Sequence, residues 1–427
     1  MAHAHPTAPD GALPASPTTG RLLIGALAPF VVATVVGLAV LWPGDPEPAA
    51  APGVVPDDLV AAEVVAEERG PCGGVAPDGA EVACASWSVR LEEGADQGRT
   101  VELPEQPEGP GSLDLDVGDD VVLSYVADAE PDLRYAFADR ERRRPLLLLA
   151  GLFAAAVVVL GRFQGVRALF GLAVSLLVLT QFVLPAVLEG SSPLAVALVG
   201  SSVIAFVGLY LSHGVSATTT TALLGTLSSL ALVGVLASIF VAATELSGVA
   251  TEEVRIVQIG AEDLNVRGLL LGGMVIGALG VLDDVTVTQV AAVAELRRAD
   301  PSLPFSRLYR AAVRIGRDHI ASTVNTLVLA YAGASLPLLL LFTQAQQGFS
   351  DVVNGETVAV EVVRTLTGSI GLVASVPITT ALAAVVATGR GGPERPPRTR
   401  RPTGMRSRSE ERFWRDATDE GLGSGGR

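Results

Sequence analysis

The feature that most constrains this chain is a series of eight apolar segments, each close in length to the width of a bilayer. A membrane helix needs about 20 mostly apolar residues, and only the second segment falls short of that length. Helices and closed barrels alone satisfy their backbone hydrogen bonds in lipid, so the series predicts an all-α polytopic membrane bundle of about eight transmembrane helices. The segments are Leu22–Trp42, Pro145–Leu160, Ala168–Leu188, Pro193–Leu211, Ala222–Ala242, Gly268–Val290, His319–Phe342 and Thr367–Thr388.

Between the first two segments lies a strongly acidic block. From Asp45 to Asp139 there are 23 acidic residues against 4 arginines, a balance of −19, so the rest of the −15 chain carries about +4. Apolar and polar residues alternate in Val82–Leu91 and Val121–Val126, with Gly turns beside them. This pattern predicts a small extracytoplasmic β-domain, an OB-like barrel between helices 1 and 2. Its acidity indicates a solvated surface, with calcium or a cationic partner as the alternative.

Arginine placement predicts the orientation, because cytoplasmic loops of membrane proteins are enriched in basic residues. Arg21, Arg162, Arg167, six arginines in residues 297–317 and ten in the tail lie on one side. From this placement, both termini are expected in the cytoplasm. All 30 basic residues of the chain are arginine, which is typical of a high-GC bacterial genome, so the expected location is a bacterial cytoplasmic (inner) membrane. Arg140 and Arg142–Arg144 oppose this rule, and we expect them to pair with outer-leaflet phosphates or with the acidic domain.

These patterns divide the chain into five parts. We predict a cytoplasmic segment at 1–21, a signal anchor at 22–42, the acidic β-domain with linkers at 43–144, a seven-helix domain at 145–388 and a disordered Arg-rich tail at 389–427. The first helix is longer than a usual leader, although Ala49–Ala51 also resembles a cleavage site. The tail is expected to touch anionic lipid; nucleic-acid binding is the weaker interpretation, and no nucleic-acid partner is predicted.

The two cysteines, Cys72 and Cys84, both lie in the acidic block. In an oxidising compartment, a disulfide between them is the expected pairing, and two free thiols are the alternative. No His or Cys cluster accompanies them, so no metal site and no cofactor is predicted.

The sixth segment carries two adjacent carboxylates, Asp283 and Asp284. Each carboxylate costs about 2.5–3.5 kcal/mol near the centre of a membrane helix. Because charged groups are rarely kept there without a role, we predict a proton or cation site at this pair. The alternative is a purely structural role, in which one carboxylate only accepts hydrogen bonds from a neighbouring helix. Asp284 shares a helix face with small residues, and the glycines there predict close helix packing. The site set on this segment is Asp283, Asp284, Thr286, Thr288 and Gln289, and the packing glycines are Gly273, Gly277 and Gly280.

The seventh segment has a second polar face, which we expect to oppose the aspartates. Ser and Thr in helices often bond only their own backbone, so Asn325 and the clustering carry more weight than any one hydroxyl. His319 adds an imidazole, a side chain used in proton transfer, and an interfacial position for it at the inner entry of the segment is the alternative. The remaining pathway candidates are His319, Ser322, Thr323, Asn325 and Thr326.

At these residues the sequence resembles the YibE/F family of bacterial multi-pass membrane proteins, in its actinobacterial form. The resemblance rests on residues 277–289, on Tyr309–Leu327 and on Tyr331–Pro337, with Leu211–Gly214 adding to it. It covers roughly Leu146 to Ala387. It implies a permease-like protein without an established substrate and supplies no catalytic residues.

Three functions are open at this point. The first is a secondary transporter for a small molecule or ion, with an aspartate as its proton or cation site. The second is a membrane-anchored protein that binds an envelope partner through its β-domain. The third, an enzyme, lacks a nucleophile, metal or dinucleotide constellation, so we predict no catalytic residue. The oligomeric state is not predicted.

Overall fold

The computed structural model describes residue 13 and residues 17–44, 58–75, 81–107, 112–127, 129–130, 133–249, 254, 264–344 and 348–389. Its helices are α1 Pro17–Leu41, α2 Arg143–Val178, α3 Leu184–Leu188, α4 Pro193–His213, α5 Ala217–Ala243, α6 Val266–Ala299, α7 Phe305–Ala334, α8 Leu336–Gln344, α9 Phe349–Asn354 and α10 Glu356–Thr388, with a π-helical turn at Leu179–Val183. The strands are β1 Asp58–Val75, β2 Glu81–Leu91, β3 Thr100–Glu102, β4 Gln106–Pro107, β5 Asp120–Tyr125 and β6 Tyr135–Arg140.

Six helical units in the described residues are long and apolar enough to cross a membrane, two fewer than the eight predicted. They are Thr18–Leu41, Arg143–Leu188, Pro193–His213, Ala217–Ala243, Val266–Ala299 and Glu356–Thr388. The difference arises at two places: the second and third predicted segments form one helical unit, and the seventh is divided between two helices.

The first difference lies in Arg143–Leu188, where the second and third predicted segments form one helical unit. Arg162 has a positive φ of 50° and interrupts the helix. A Cβ on Gly165 would collide with the carbonyl oxygen of Val157, although eight residues of straight helix would separate them by about 12 Å. The unit is therefore sharply bent, and glycine is needed where its two arms meet.

The second difference lies in the seventh predicted segment, His319–Phe342. The structure divides it between α7 and α8 at Ser335, two residues before Pro337. Proline lacks the backbone donor that a continuous helix needs and is accepted in a first turn, which explains the break. The first half of α7 is polar and amphipathic rather than apolar.

The core of the bundle is the contact of α5, α6 and α10. Cβ atoms added at Gly225 and Gly371 would collide with Thr379 and Val233, so both glycines bring α5 and α10 into close contact. The pairs 225–379 and 233–371 also show that the two helices run antiparallel. Small residues at helix contacts favour association inside a membrane, where lipid removes the hydrophobic force between helices.

The two ends of the bundle differ in composition. At one end, α1 leads toward the sheet and stacks Trp42 on Phe182, with ring centroids 5.8 Å apart. We call this the sheet end; it also holds the start of α6, where Gly268 meets Pro193, and the start of α10. The opposite end carries the last turn of α6, with Arg297 and Arg298, and we call it the arginine end.

The acidic block forms an open antiparallel sheet, so the predicted OB-like barrel is not confirmed. The strand order is β3-β2-β1-β5-β6, with β4 pairing beside β3 on β2, and the sheet is not closed. Its core includes Trp87, which is 2% exposed and whose indole N–H donates to the carbonyl oxygen of Leu115 over 3.0 Å. Strands at the predicted Val82–Leu91 and Val121–Val126 are confirmed within one residue.

Acidic side chains of this sheet region pair with the arginines that opposed the orientation rule. Arg140 lies 3.1 Å from Asp119, Arg142 lies 2.6 Å from Asp139, and Arg144 lies 3.6 Å from Asp120. The Arg142 guanidinium, with a backbone donor from Arg140, holds the pKa of Asp139 below its usual range. Of the two pairings that we expected, the structure makes the one with the acidic domain.

Several predictions fall on residues outside the described part of the chain. These are the linker beyond residue 44, the Ala49–Ala51 site and the tail beyond residue 389. Cys84 is disulfide-bonded, while the side chain of Cys72, the predicted partner, is outside the described residues.

Tyr135 gives a test of the sheet in solution. Burial, together with the hydrogen bond that its hydroxyl donates to Asp96 over 2.8 Å, raises its pKa to about 12. A raised folded-state pKa stabilises the fold below the ordinary value of about 10, and this stability is lost as the pH rises through 12. Alkaline titration of phenolate absorbance should show a component that ionises near pH 12. Tyr135→Phe should remove that component, and a titration curve that is the same in the wild-type and Tyr135→Phe proteins at this pH would contradict the buried hydroxyl.

Candidate functional site

A buried amide joins three helices toward the arginine end of the bundle. Gln289 on α6 is 3% exposed, and its Nε2 donates to the carbonyl oxygen of Ala312 on α7 over 2.9 Å and to Thr380 Oγ1 on α10 over 2.7 Å. A Cβ added at Gly316 would lie 2.7 Å from Gln289 Oε1 and 2.5 Å from Val376 Cγ1. We call these residues the Gln289 layer. It is the place where α7 is fully packed against the bundle.

A second polar contact lies on another side of α6, against α5. The hydroxyls of Thr226 and Thr286 are 2.7 Å apart and both are buried, and Thr286 also donates to the carbonyl oxygen of Asp283 over 3.1 Å. Asp283 itself is half-buried, and its Oδ1 is enclosed without a hydrogen-bond partner among the described residues. An enclosed carboxylate oxygen without a donor is costly, and of the two aspartates Asp283 is the one that carries such an atom.

Asp284 and the small residues of its face are exposed on a single chain. Gly273, Gly280 and Thr288 share this exposed stripe, and nothing lies within 4 Å of a Cβ at Gly273 or Gly280. Gly277 meets only the Tyr331 hydroxyl, 3.5 Å from its added Cβ. Among the described residues of one chain, the predicted close packing at Gly273 and Gly280 is therefore not made.

The polar residues predicted on α7 are mostly at its surface. Ser322, Asn325 and Thr326 are exposed, and Thr323 and Thr326 donate only to their own helix backbone, over 3.0 Å each. His319 is half-buried, with its Nε2 enclosed and without a partner. Among the described residues, no hydrogen bond or ion pair joins either aspartate to these side chains, so the predicted facing of the two polar sets is not made in this structure.

Toward the sheet end of the Gln289 layer, Ile320, Val324 and Leu327 of α7 still pack against α6 and α10, and open space beside α7 begins only beyond them. The buried residues of α7 are Leu308, Ala312 and Gly316, all toward the arginine end. Toward the sheet end lie a cavity of about 520 Å³, bounded by the starts of α6, α8 and α10, and an adjoining cavity of about 280 Å³ between α7 and α10. The two cavities share lining residues Ser335, Leu338 and Glu361. We call them together the sheet-end cleft.

An ion pair stands in the wall of this cleft. Arg364 Nη1 lies 2.6 Å from Glu361 Oε1, one turn apart on α10, and the two side chains are 30% and 28% exposed. From the sequence alone, neither Arg364 nor Glu361 is given a site role. The available signal was their i, i+3 spacing directly before an apolar segment.

Sequence reasoning also assigned no site role to the hydroxyls of α5 and α10 that complete the polar contacts. In the sequence, Thr226 carries no distinguishing signal, and Thr380, with Pro377 and Thr379, indicates only a kinked, partly polar helix. A hydroxyl every third or fourth residue in an apolar helix could have indicated a polar seam, but the partner helix is visible only in the structure.

The hydroxyl-rich connector His213–Thr221 predicts a cap for the helix that follows it. The structure confirms this cap, because Ser216 Oγ accepts from the Thr219 N–H over 3.1 Å.

Comparison with known proteins settles the family. Residues 149–389, more than half of the chain, match the family described as YibE/F-like protein. The chain belongs to this family. No curated protein and no solved structure matches it. In this YibE/F-like chain, the family region includes the Gln289 layer, both aspartates and the sheet-end cleft, while the sheet lies outside the matched residues.

The Gln289 layer predicts that a larger side chain destabilises the protein at one glycine of α7 and is accepted at another. In Gly316→Val, the new side chain would collide with Gln289 and Val376, and such overpacking costs about 1–3 kcal/mol. Gly333→Val is the matched control, because nothing lies within 4 Å of its Cβ position. Thermal unfolding in detergent should show a lower midpoint for Gly316→Val than for Gly333→Val. Equal midpoints would contradict the tight contact.

Proposed function

We propose that this chain is a secondary permease of a bacterial cytoplasmic membrane, and not an enzyme. In the proposal, the chain crosses the bilayer eight times: the two arms of Arg143–Leu188 cross separately, and α7 with α8 makes one crossing. Both termini are cytoplasmic, which places the arginine end inside and the sheet end outside. The asymmetric distribution of arginines supports this orientation.

The single observation that carries the proposal is the uneven packing of α7. Its arginine-end half is held by the Gln289 layer, while its sheet-end half borders the sheet-end cleft. A cleft that opens on one side and is closed on the other is what one state of an alternating-access carrier requires. The substrate path then runs from the cleft, along the α7 contacts with α6 and α10, to the Gln289 layer.

Asp283 is the proposed proton or cation position. Its enclosed, unpartnered Oδ1 and the adjacent Thr226–Thr286 hydroxyl pair support this role. Asp283 faces away from Gln289 on α6: six residues separate them, which places their side chains about 120° apart around the helix axis. Binding at Asp283 would therefore act on the path through a shift of α6 rather than by contact with the substrate.

The path is tested by cysteine accessibility in the whole protein, because Cys84 is already disulfide-bonded. Ser335→Cys, in the cleft, should react with a membrane-impermeant thiol reagent added from the sheet side. Ala383→Cys, which is fully buried toward the arginine end of α10, should not react. Gln289→Ala removes the side chain that closes the path, so Ala383→Cys should then become reactive by several-fold.

A matched control is Thr288→Ala, because Thr288 is the exposed neighbour of Gln289. It should leave Ala383→Cys unreactive. If Gln289→Ala also leaves it unreactive while the protein remains folded, the Gln289 layer does not close a path and the permease proposal is wrong.

A second candidate function is binding of an envelope partner by the sheet. The observation that favours it is the open sheet itself, with a cavity of about 570 Å³ beside the edge strand β3, bounded by residues 99–104, Leu133 and Tyr135. Exposed strand edges accept extended peptides as an added strand. In this alternative, the bundle serves as an anchor.

Substitutions of Asp283 and Asp284 distinguish the two candidate functions. If the permease proposal is correct, labelling of Ser335→Cys, corrected for the reactivity of a free thiol, should depend on pH, and Asp283→Asn should abolish that dependence. Asp284→Asn, the exposed neighbour, should retain it. If the protein is an anchored binder, both substitutions should be tolerated, and deletion of residues 54–132 should abolish function in the cell. A pH dependence that survives Asp283→Asn would remove Asp283 from the mechanism.

A further inference from the structure

Among the residues that the structure describes, the sheet-end cleft combines one positive group, one negative group and an open apolar cavity. From this combination we infer that the cleft binds a zwitterionic small solute with an apolar side chain, that is, a free α-amino acid of the leucine type. Its carboxylate would bind Arg364 and its ammonium group Glu361. The inference rests on the proposed function, since it names the class of solute that the permease path would take.

Arg364 is equipped to bind a carboxylate. A guanidinium has five N–H donors arranged as a fork that matches carboxylate oxygens. In the described structure, Arg364 forms one hydrogen bond, from Nη1 to Glu361 Oε1, and its Nε is enclosed without an acceptor. Most of its donors are therefore unsatisfied within the protein, in a wall of the 520 Å³ cavity.

Glu361 provides the complementary charge at the right place. It is three residues before Arg364 on the same helix face and lines both cavities of the cleft. Because the pair has no net charge, a ligand with a single charge would leave one protein charge unpaired in a low-dielectric site, which is costly. A zwitterion can pair with both groups at once. A site whose two charges cancel thus favours a ligand whose two charges also cancel.

The adjoining 280 Å³ cavity accounts for the rest of the ligand. Its lining is almost entirely apolar and includes Val328, Leu339, Val362 and Leu366. Small-molecule sites in proteins have volumes of about 300–1,000 Å³ and combine apolar walls with a few polar groups that fix orientation. A ligand with its charged groups at Glu361 and Arg364 would extend its side chain into this chamber through the shared opening at Ser335 and Leu338.

Three ligands with the same branched apolar part test the inference on the full chain in lipid nanodiscs. They are leucine, 4-methylpentanoate, which lacks the ammonium group, and 3-methylbutylamine, which lacks the carboxylate. Isothermal titration should show leucine binding at least tenfold more tightly than either analogue. If 4-methylpentanoate or 3-methylbutylamine binds as tightly as leucine, the site recognises only one of the two charged groups and the inference is overturned. Absence of leucine binding overturns it as well.

Two substitutions assign the binding to the cleft. Arg364→Gln and Glu361→Gln should each weaken leucine binding at least tenfold. The control is Glu295→Gln, because Glu295 and Arg298 form a pair with the same i, i+3 spacing on α6 at the arginine end, away from the cavity. The ligand series on the unsubstituted protein remains decisive if a substitution prevents folding. Leucine affinity that is unchanged in both variants would place the site elsewhere and overturn the inference.

The two proposals fail in different ways. Leucine binding that depends on Arg364, together with an unreactive Ala383→Cys in the Gln289→Ala protein, would retain the site and reject the permease. A reactive Ala383→Cys without leucine binding would retain the path and reject the amino-acid class.

Discussion

The close contact of α5, α6 and α10 is the constraint on which the rest of the structure depends. Apolar surface gives helices little reason to associate in lipid, so their contact relies on van der Waals packing and on hydrogen bonds between polar side chains. Gly225 and Gly371 permit that packing, and the Thr226–Thr286 and Gln289–Thr380 pairs supply the bonds. One hydroxyl pair thus joins α5 to α6, and one amide–hydroxyl bond joins α6 to α10.

This central packing explains why α7 is unevenly held. The contact is tightest at Ala312 and Gly316, where Gln289 bonds the α7 backbone and glycine leaves room for the amide. Toward the sheet end, the helix breaks at Ser335, so α7 and α8 do not form one continuous helix, and space remains between α7 and α10. The tight contact and the open cleft along the same helix thus follow from the positions of Gly316 and Pro337.

Sequence reasoning succeeded where local chemistry decides the outcome. The strands at Val82–Leu91 and Val121–Val126 follow from side-chain alternation, and the Ser216 cap follows from hydroxyl preference at helix starts. It missed β1 because Asp58–Val75 is rich in alanine and glutamate, which are depleted in strands. That strand forms because β2 and β5 pair with it on both sides. The composition of a strand does not identify its pairing partners.

The sequence by itself determined the membrane setting, the family and the existence of an acidic sheet domain, because apolar length, long motifs and alternation are properties of contiguous residues. Only the tertiary structure decided that Asp283 is enclosed and Asp284 exposed, that Gln289 joins three helices, and that Arg364 and Glu361 border a cleft. The physical reason is that helical periodicity specifies which side chains share a face, whereas the neighbour that covers the face depends on packing between distant segments.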